Sequence, residues 1–311
     1  MLQHYDKQKE HKLFTFAFDW QLAAIFFGIG TAASTYPCLW CVMPKKDFAI
    51  DLQIIDDFGD LILKGGKLRS IGDIRKLAQR YNEAKRNHTG KNKLPSIDFF
   101  SVENEPIDTT LPDETLVLHV LAPMQLHLKH GLVNETFDLL DRLLENSESS
   151  IRASEWSNAL GLEKTGHLGG KLQFYGGDCH KLLFSIDKLQ ELLVEHSMSE
   201  LCEPIMDVFK AFQRVVNSCF GVVLYTSRYK DDIKFFAMKY AALMEYCRQK
   251  TSAEKPIKLS VIPKVHAIII HIIQFIEYQK TQNMDFGIGF HSEQQGKDYL
   301  ILVFLNSYTF F

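Results

Sequence analysis

The sequence predicts an α+β fold that is mostly α, and three observations predict it. From Met124 onward, apolar residues recur at helical spacing through most of the remaining chain. The stretch that alternates as a strand does, Leu13 to Phe18, is short and aromatic. Finally, 311 residues with 46% hydrophobic and 12% aromatic content supply a core for one large domain or two ordinary ones.

Taken in order, Leu13 to Phe18 reads as a strand ending near Asp19, and Trp20 to Gly28 as a helix with an apolar surface all round, stopped by Gly28 and Gly30. Asp19 then sits at a strand-to-helix junction inside an apolar run, an expensive place for a carboxylate unless it is paired or binds a cation. Lys45 to Asp60 is mixed and acidic. Leu68 to His88 is an amphipathic, basic helix with Ser70 as N-cap and Leu77 on its apolar face, followed by a polar basic loop from Asn87 to Pro95 and breaks at Pro106 and Pro112. Leu126, Leu128, Leu132, Val133, Phe137, Leu140, Leu143 and Leu144 line one long helix that ends in the Ser/Glu-rich loop Asn146 to Ser150. Ser154 to Leu160 is a short helical piece carrying Trp156, and the glycines from Gly166 to Gly177 predict an irregular stretch. Helices are expected at Cys179 to His196, Leu201 to Phe220 and Tyr229 to Lys250. After Pro263, a very apolar helix from Val265 to Gln279 carries His266 and His271, and Gly287 and Gly289 open a turn into His291-Ser292-Glu293.

Composition narrows the function. A formal charge of -3 from 35 basic and 38 acidic residues leaves no global basic footprint, so any nucleic-acid contact rests on a local patch or on metal ions. Six cysteines at irregular spacing are not the framework of a small secreted domain and indicate a reducing compartment. The N-terminus carries no signal peptide pattern. The apolar runs at 13–30, 261–276 and 299–311 are interrupted or short of the roughly 18 to 20 residues a membrane span needs, so no membrane association is expected.

Four features bear on chemistry, each with a plainer alternative. Cys38 and Cys41 have the spacing of half a zinc site, but equally of two buried reduced thiols or a redox pair. His266 and His271 have a spacing found in paired zinc histidines, and are otherwise two satisfied core residues. At i and i+5 their rings point about 140° apart on a regular helix, so joint ligation requires the helix to begin or bend between them. Glu293 follows a Gly-x-Gly turn, where a first-turn acid also suits the helix dipole. His127 and His130 share a helix face as metal ligands, active-site groups or surface residues.

As an ordered set, Asp19, Cys38, Cys41, His266, His271 and Glu293 resemble the catalytic core of the Transib transposases and of the related V(D)J recombination-activating protein one. The stretches Met124 to Asn134, Phe174 to Leu183, Pro263 to His266 and Ser292 to Gln294 extend the likeness over about residues 13 to 298. The resemblance implies a partial RNase H-like core interrupted by a large helical zinc-binding insertion. Residues 1–44 would be the core remnant, 45–123 a linker and basic helix, 124–260 the helical insertion, and 261–311 the zinc-histidine helix and catalytic-Glu segment with an aberrant C-terminus. It further implies structural zinc on Cys38, Cys41, His266 and His271, and Mg²⁺ or Mn²⁺ on Asp19 and Glu293, with His127 assisting catalysis. DNA as partner, a homodimer and a nuclear location come from the same likeness. Such enzymes activate the attacking oxygen and neutralise the leaving one with two cations. The family's first catalytic Asp lies about a hundred residues before the second, whereas 18 residues precede Asp19 here, so the chain is expected to be N-terminally truncated and catalytically incomplete. The alternative from another class is a zinc-stabilised helical interaction or DNA-binding module without enzymatic activity.

Overall fold

The computed structural model describes residues 20, 23, 24, 27, 29, 34–53, 62–87, 111–168, 171–224, 227–251 and 257–291. Helix dominates them. In chain order they form β1 (Cys41–Val42), two 3-10 turns (Lys45–Asp47 and Ile50–Leu52), β2 (Lys67–Leu68), α1 (Ile71–Arg86), α2 (Val117–Val120) and α3 (Gln125–Asn146). Next come α4 (Ala153–Ala159), β3 (Gly166–Leu168), β4 (Lys171–Gln173), α5 (Gly176–Leu183), α6 (Ile186–Glu195), α7 (Ser199–Cys219) and α8 (Tyr229–Lys250). The described part ends with α9 (Pro263–His266), a π turn (Ala267–His271), α10 (Ile272–Thr281) and a 3-10 turn (Ile288–His291).

The mostly α expectation holds. The described strands make two antiparallel pairs, β1 with β2 (Cys41 opposite Leu68) and β3 with β4 (His167 opposite Leu172). The expected strand Leu13 to Phe18 lies outside the described residues, as do Gly28 and Gly30, although Trp20, Ala23 and Ala24 are helical as the sequence predicts.

The helix expected from Leu68 to His88 begins at Ile71, because Leu68 belongs to β2, and its start follows the sequence logic of its cap. Ser70 caps α1 reciprocally: the Asp73 amide donates to Ser70 Oγ and the Ser70 amide to Asp73 Oδ2, each at 3.1 Å, which satisfies two amides left over at the helix start. Ile71 and Ile74 face inward from α1. Along α3, Leu128, Leu132, Val133, Phe137, Leu140, Leu143 and Leu144 are buried at the predicted period, and Trp156 of α4 stacks on Phe137 at 5.9 Å between centroids. α7 and α8 form the most extensive helix pair, with Phe212 against Phe236 at 5.5 Å. One contiguous set of buried apolar residues runs from Ala23 to Ile288.

Polar contacts from Asn134 hold α3 to the chain that follows β4. Asn134 Nδ2 donates to the Phe174 carbonyl at 3.2 Å while its Oδ1 accepts from the Phe174 amide at 2.9 Å, which fixes the chain between β4 and α5 against the helix. Gly131 lets Lys264 lie across α3, since a Cβ at that position would stand 2.1 Å from Lys264 Cδ.

Three local expectations are corrected. The glycine-punctuated stretch is not irregular throughout, because β3 and β4 pair across residues 169 and 170. A Gly-Gly dipeptide between short alternating runs is itself a hairpin signal. The single helix expected from Cys179 to His196 is two, α5 and α6, broken at Phe184 and Ser185. Partners from elsewhere in the fold take up the carbonyls freed there: Gln213 Nε2 donates to Leu183 at 2.6 Å and Trp156 Nε1 to Ser185 at 3.2 Å. The apolar helix after Pro263 is interrupted by a π turn between its two histidines.

Candidate metal centre

Cys38, Cys41, His266 and His271 converge. Their ligand atoms all lie within 4.8 Å of one another, and every one of the four residues is buried. Cys38 Sγ is 3.1 Å from His271 Nε2, and Cys41 Sγ is 3.3 Å from His266 Nε2. A tetrahedron with Zn–S near 2.3 Å and Zn–N near 2.0 Å sets its ligand atoms roughly 3.3 to 3.8 Å apart, so the longest separation needs to close by about 1 Å. Two thiolates and two imidazoles are the borderline-soft set that suits zinc, and four protein ligands leave no position for a reacting molecule. The arrangement is compatible with a structural zinc site.

The local folds that build this cluster are specific. The π turn solves the angular problem of a five-residue spacing: with hydrogen bonds closing over five residues rather than four, i and i+5 stack along one face. The two imidazole centroids lie 5.0 Å apart at 80°. Gln274, three residues past His271 on the next turn, has its Oε1 2.8 Å from His271 Nδ1, which therefore donates and leaves the Nε2 lone pair facing Cys38. Phe48 stacks on His266 at 4.2 Å, and Trp40 lies 5.4 Å from His271 with its Nε1 donating to the Leu121 carbonyl at 2.8 Å. Gly66 admits the close passage of β2, since a Cβ there would fall 2.7 Å from Met43 Cβ and 3.3 Å from Cys41 Sγ.

The two thiols differ electrostatically. The Cys38 thiol, hydrogen-bonded to Cys41, and the two histidines hold Cys41 well below the ordinary thiol range, whereas burial and the Cys41 charge push Cys38 well above it. Arg69, 4% exposed, donates from Nε to the Cys38 carbonyl and from a terminal nitrogen to the Tyr36 carbonyl, both at 3.1 Å. Burial lowers the pKa of its guanidinium, opposed by the Cys38 and Cys41 charges and more weakly by Asp73.

The remaining expected site residues are not brought together among the described residues. Asp19 and Glu293, expected to hold Mg²⁺ or Mn²⁺, lie outside them. His127 is half-buried on α3. Its neighbour His130 is held below the ordinary histidine range first by burial, then by the charges of Lys264 and His127. Sequence reasoning missed Arg69 and Gln274. Gln274 was within reach of it, as a side chain one helical turn beyond a candidate ligand. Arg69 carries no local signal, being one cation among many in a basic segment.

No protein-family model matches the chain, and a search of curated proteins finds no match either. No helix among the described residues is long and apolar enough to cross a membrane.

Proposed function

We propose that this chain is a transposase-derived protein of the Transib and V(D)J recombination-activating kind, whose helical insertion is clipped by one structural zinc ion on Cys38, Cys41, His266 and His271. The observation that carries this reading is the buried four-ligand cluster, which joins segments 225 to 233 residues apart in sequence. A closed Cys₂His₂ set organises a fold and performs no chemistry of its own. On this reading Asp19 and Glu293, with His127 assisting, belong to a metal-dependent DNA cleavage and strand-transfer site that is catalytically incomplete with these two carboxylates alone: carboxylates are the hard ligands that Mg²⁺ or Mn²⁺ prefers, and the partner is DNA. Segments 1–44, 45–123, 124–260 and 261–311 keep the roles that the resemblance implies, with a homodimer and a nuclear location as its further corollaries.

Metal analysis of the purified chain tests the first part, with about one zinc per chain expected and lost on Cys38→Ser or His271→Ala. A stably folded, metal-free protein would overturn it. Little or no nicking of DNA with Mg²⁺ or Mn²⁺ is expected of the catalytic part, and nicking that Asp19→Asn abolishes would overturn its incompleteness.

A second reading is favoured by the closed geometry of the cluster itself: a zinc-stabilised helical interaction or DNA-binding module without enzymatic activity. It predicts the same zinc content and no nicking at any divalent metal concentration, with or without DNA binding in a mobility-shift assay.

A further inference from the structure

We propose that Arg69 is the positioning residue of the zinc clamp: its side chain holds the turn carrying Cys38 and Cys41 in the shape that aims both sulfurs at the two histidines. The inference rests on the zinc reading above and assigns a role that the four ligands do not supply themselves.

The backbone of Arg69 is already tied without its side chain. Its amide donates to the Trp40 carbonyl at 2.8 Å, and its carbonyl accepts from the Val117 amide at 2.8 Å, so the strand pair and the entry to α2 are secured by main-chain bonds. The guanidinium does something different. It reaches past β1 and bridges two alternate carbonyls, those of Tyr36 and Cys38, on the outer arm of the turn. Those bonds fix the Tyr36–Pro37 and Cys38–Leu39 peptides, one before and one after the Cys38 Cα, and so set the direction in which Cys38 leaves the backbone. A planar fork with five donors can span two carbonyls in this way, and the single point charge of a lysine cannot.

Charge points the same way. A guanidinium 4% exposed needs an offsetting negative group. The Asp73 carboxylate is engaged with the Ser70 amide at 3.1 Å and Lys67 at 3.8 Å. The charges of Cys38 and Cys41 act on Arg69 more strongly than that of Asp73, and metal binding requires both sulfurs as thiolates. The buried cation and the metal-bound sulfurs therefore support one another across the turn, and neither arrangement is well placed alone.

The test is zinc affinity by chelator competition on the full chain, with cobalt substitution as a report on ligand geometry. Arg69→Gln is expected to weaken zinc binding by about 10- to 100-fold, the range typical of lost outer-shell partners. Its Co²⁺ form should show weakened visible ligand-field bands, a change that simple loss of fold stability would not produce while the protein stays folded. Arg69→Lys, which keeps the charge and loses the fork, should fall between the two. Wild-type affinity and a wild-type cobalt spectrum in Arg69→Gln overturn the assignment. If that variant does not fold, Arg69→Lys decides: affinity within twofold of wild type overturns the role, and a larger loss with unchanged far-UV circular dichroism supports it. A wild-type protein that takes up no zinc brings down the zinc reading itself, a result distinct from either outcome in the variants.

Discussion

Breaking the clamp by Cys38→Ser should cost stability on a scale set by the loop it closes. Cys38 and His271 are separated by 233 residues, and a cross-link over such a loop removes about 5 kcal/mol of conformational freedom from the unfolded chain in the chain-entropy account. Proteins melt with an entropy of about 2.1 cal/mol/K per residue. For 311 residues that is roughly 0.65 kcal/mol/K, so a loss of about 5 kcal/mol lowers Tm by about 8 °C. The assay is differential scanning calorimetry of wild type and variant, each with and without a zinc chelator, alongside metal analysis. Wild type should lose about 8 °C on chelation, the variant should start that much lower, and chelator should move the variant no further. If zinc leaves the wild type and Tm shifts by under about 1 °C, the ion is not closing this loop and the reasoning fails.

Further outcomes follow from the same geometry. Lys129, 8% exposed, has no carboxylate within ion-pair reach among the described residues, and burial, opposed by Cys179, lowers its pKa. The unfolded chain therefore binds more protons between the two pKa values, and the resulting penalty, present at neutral pH, fades as pH rises toward the ordinary lysine value. Lys129→Met should accordingly gain about 1 kcal/mol at pH 7 by urea denaturation, with the gain shrinking toward pH 10, whereas a loss at pH 7 would show that the amine is well partnered. Gly65 has φ +64° and its Cβ would stand 2.5 Å from Ile270 in the π turn, so Gly65→Ala should cost about 2 to 3 kcal/mol and weaken zinc binding; unchanged melting would show that the turn tolerates the methyl.

The helices were legible where a single rule governed them. The leucines of α3 recur at one period, Ser70 carries its partner Asp73 three residues on, and α8 begins and ends where its pattern does. The break between α5 and α6 was not legible, since neither Phe184 nor Ser185 is a breaker and the carbonyls it frees are met by Gln213 and Trp156 from distant helices. At the candidate site, the four ligand types and the need for a bend between His266 and His271 were readable from spacing. That the bend is a π turn was not, because nothing in the run Ala267 to Ile270 distinguishes it from ordinary helix. Arg69 shows the same limit: its role comes from reaching the carbonyls of residues 31 and 33 positions earlier, a relation that exists only after folding.

The span of the clamp also sets a clock on biosynthesis. His271 follows Cys41 by 230 residues (271 − 41), so at about 5 to 20 residues per second the two cysteines wait roughly 10 to 50 s on the ribosome before their histidines are made. For that interval a chain that ends with both sulfurs fully enclosed carries them as a bare dithiol. Oxidation or capture by a softer ion has its opportunity then, and the finished fold closes over whatever the nascent pair has become.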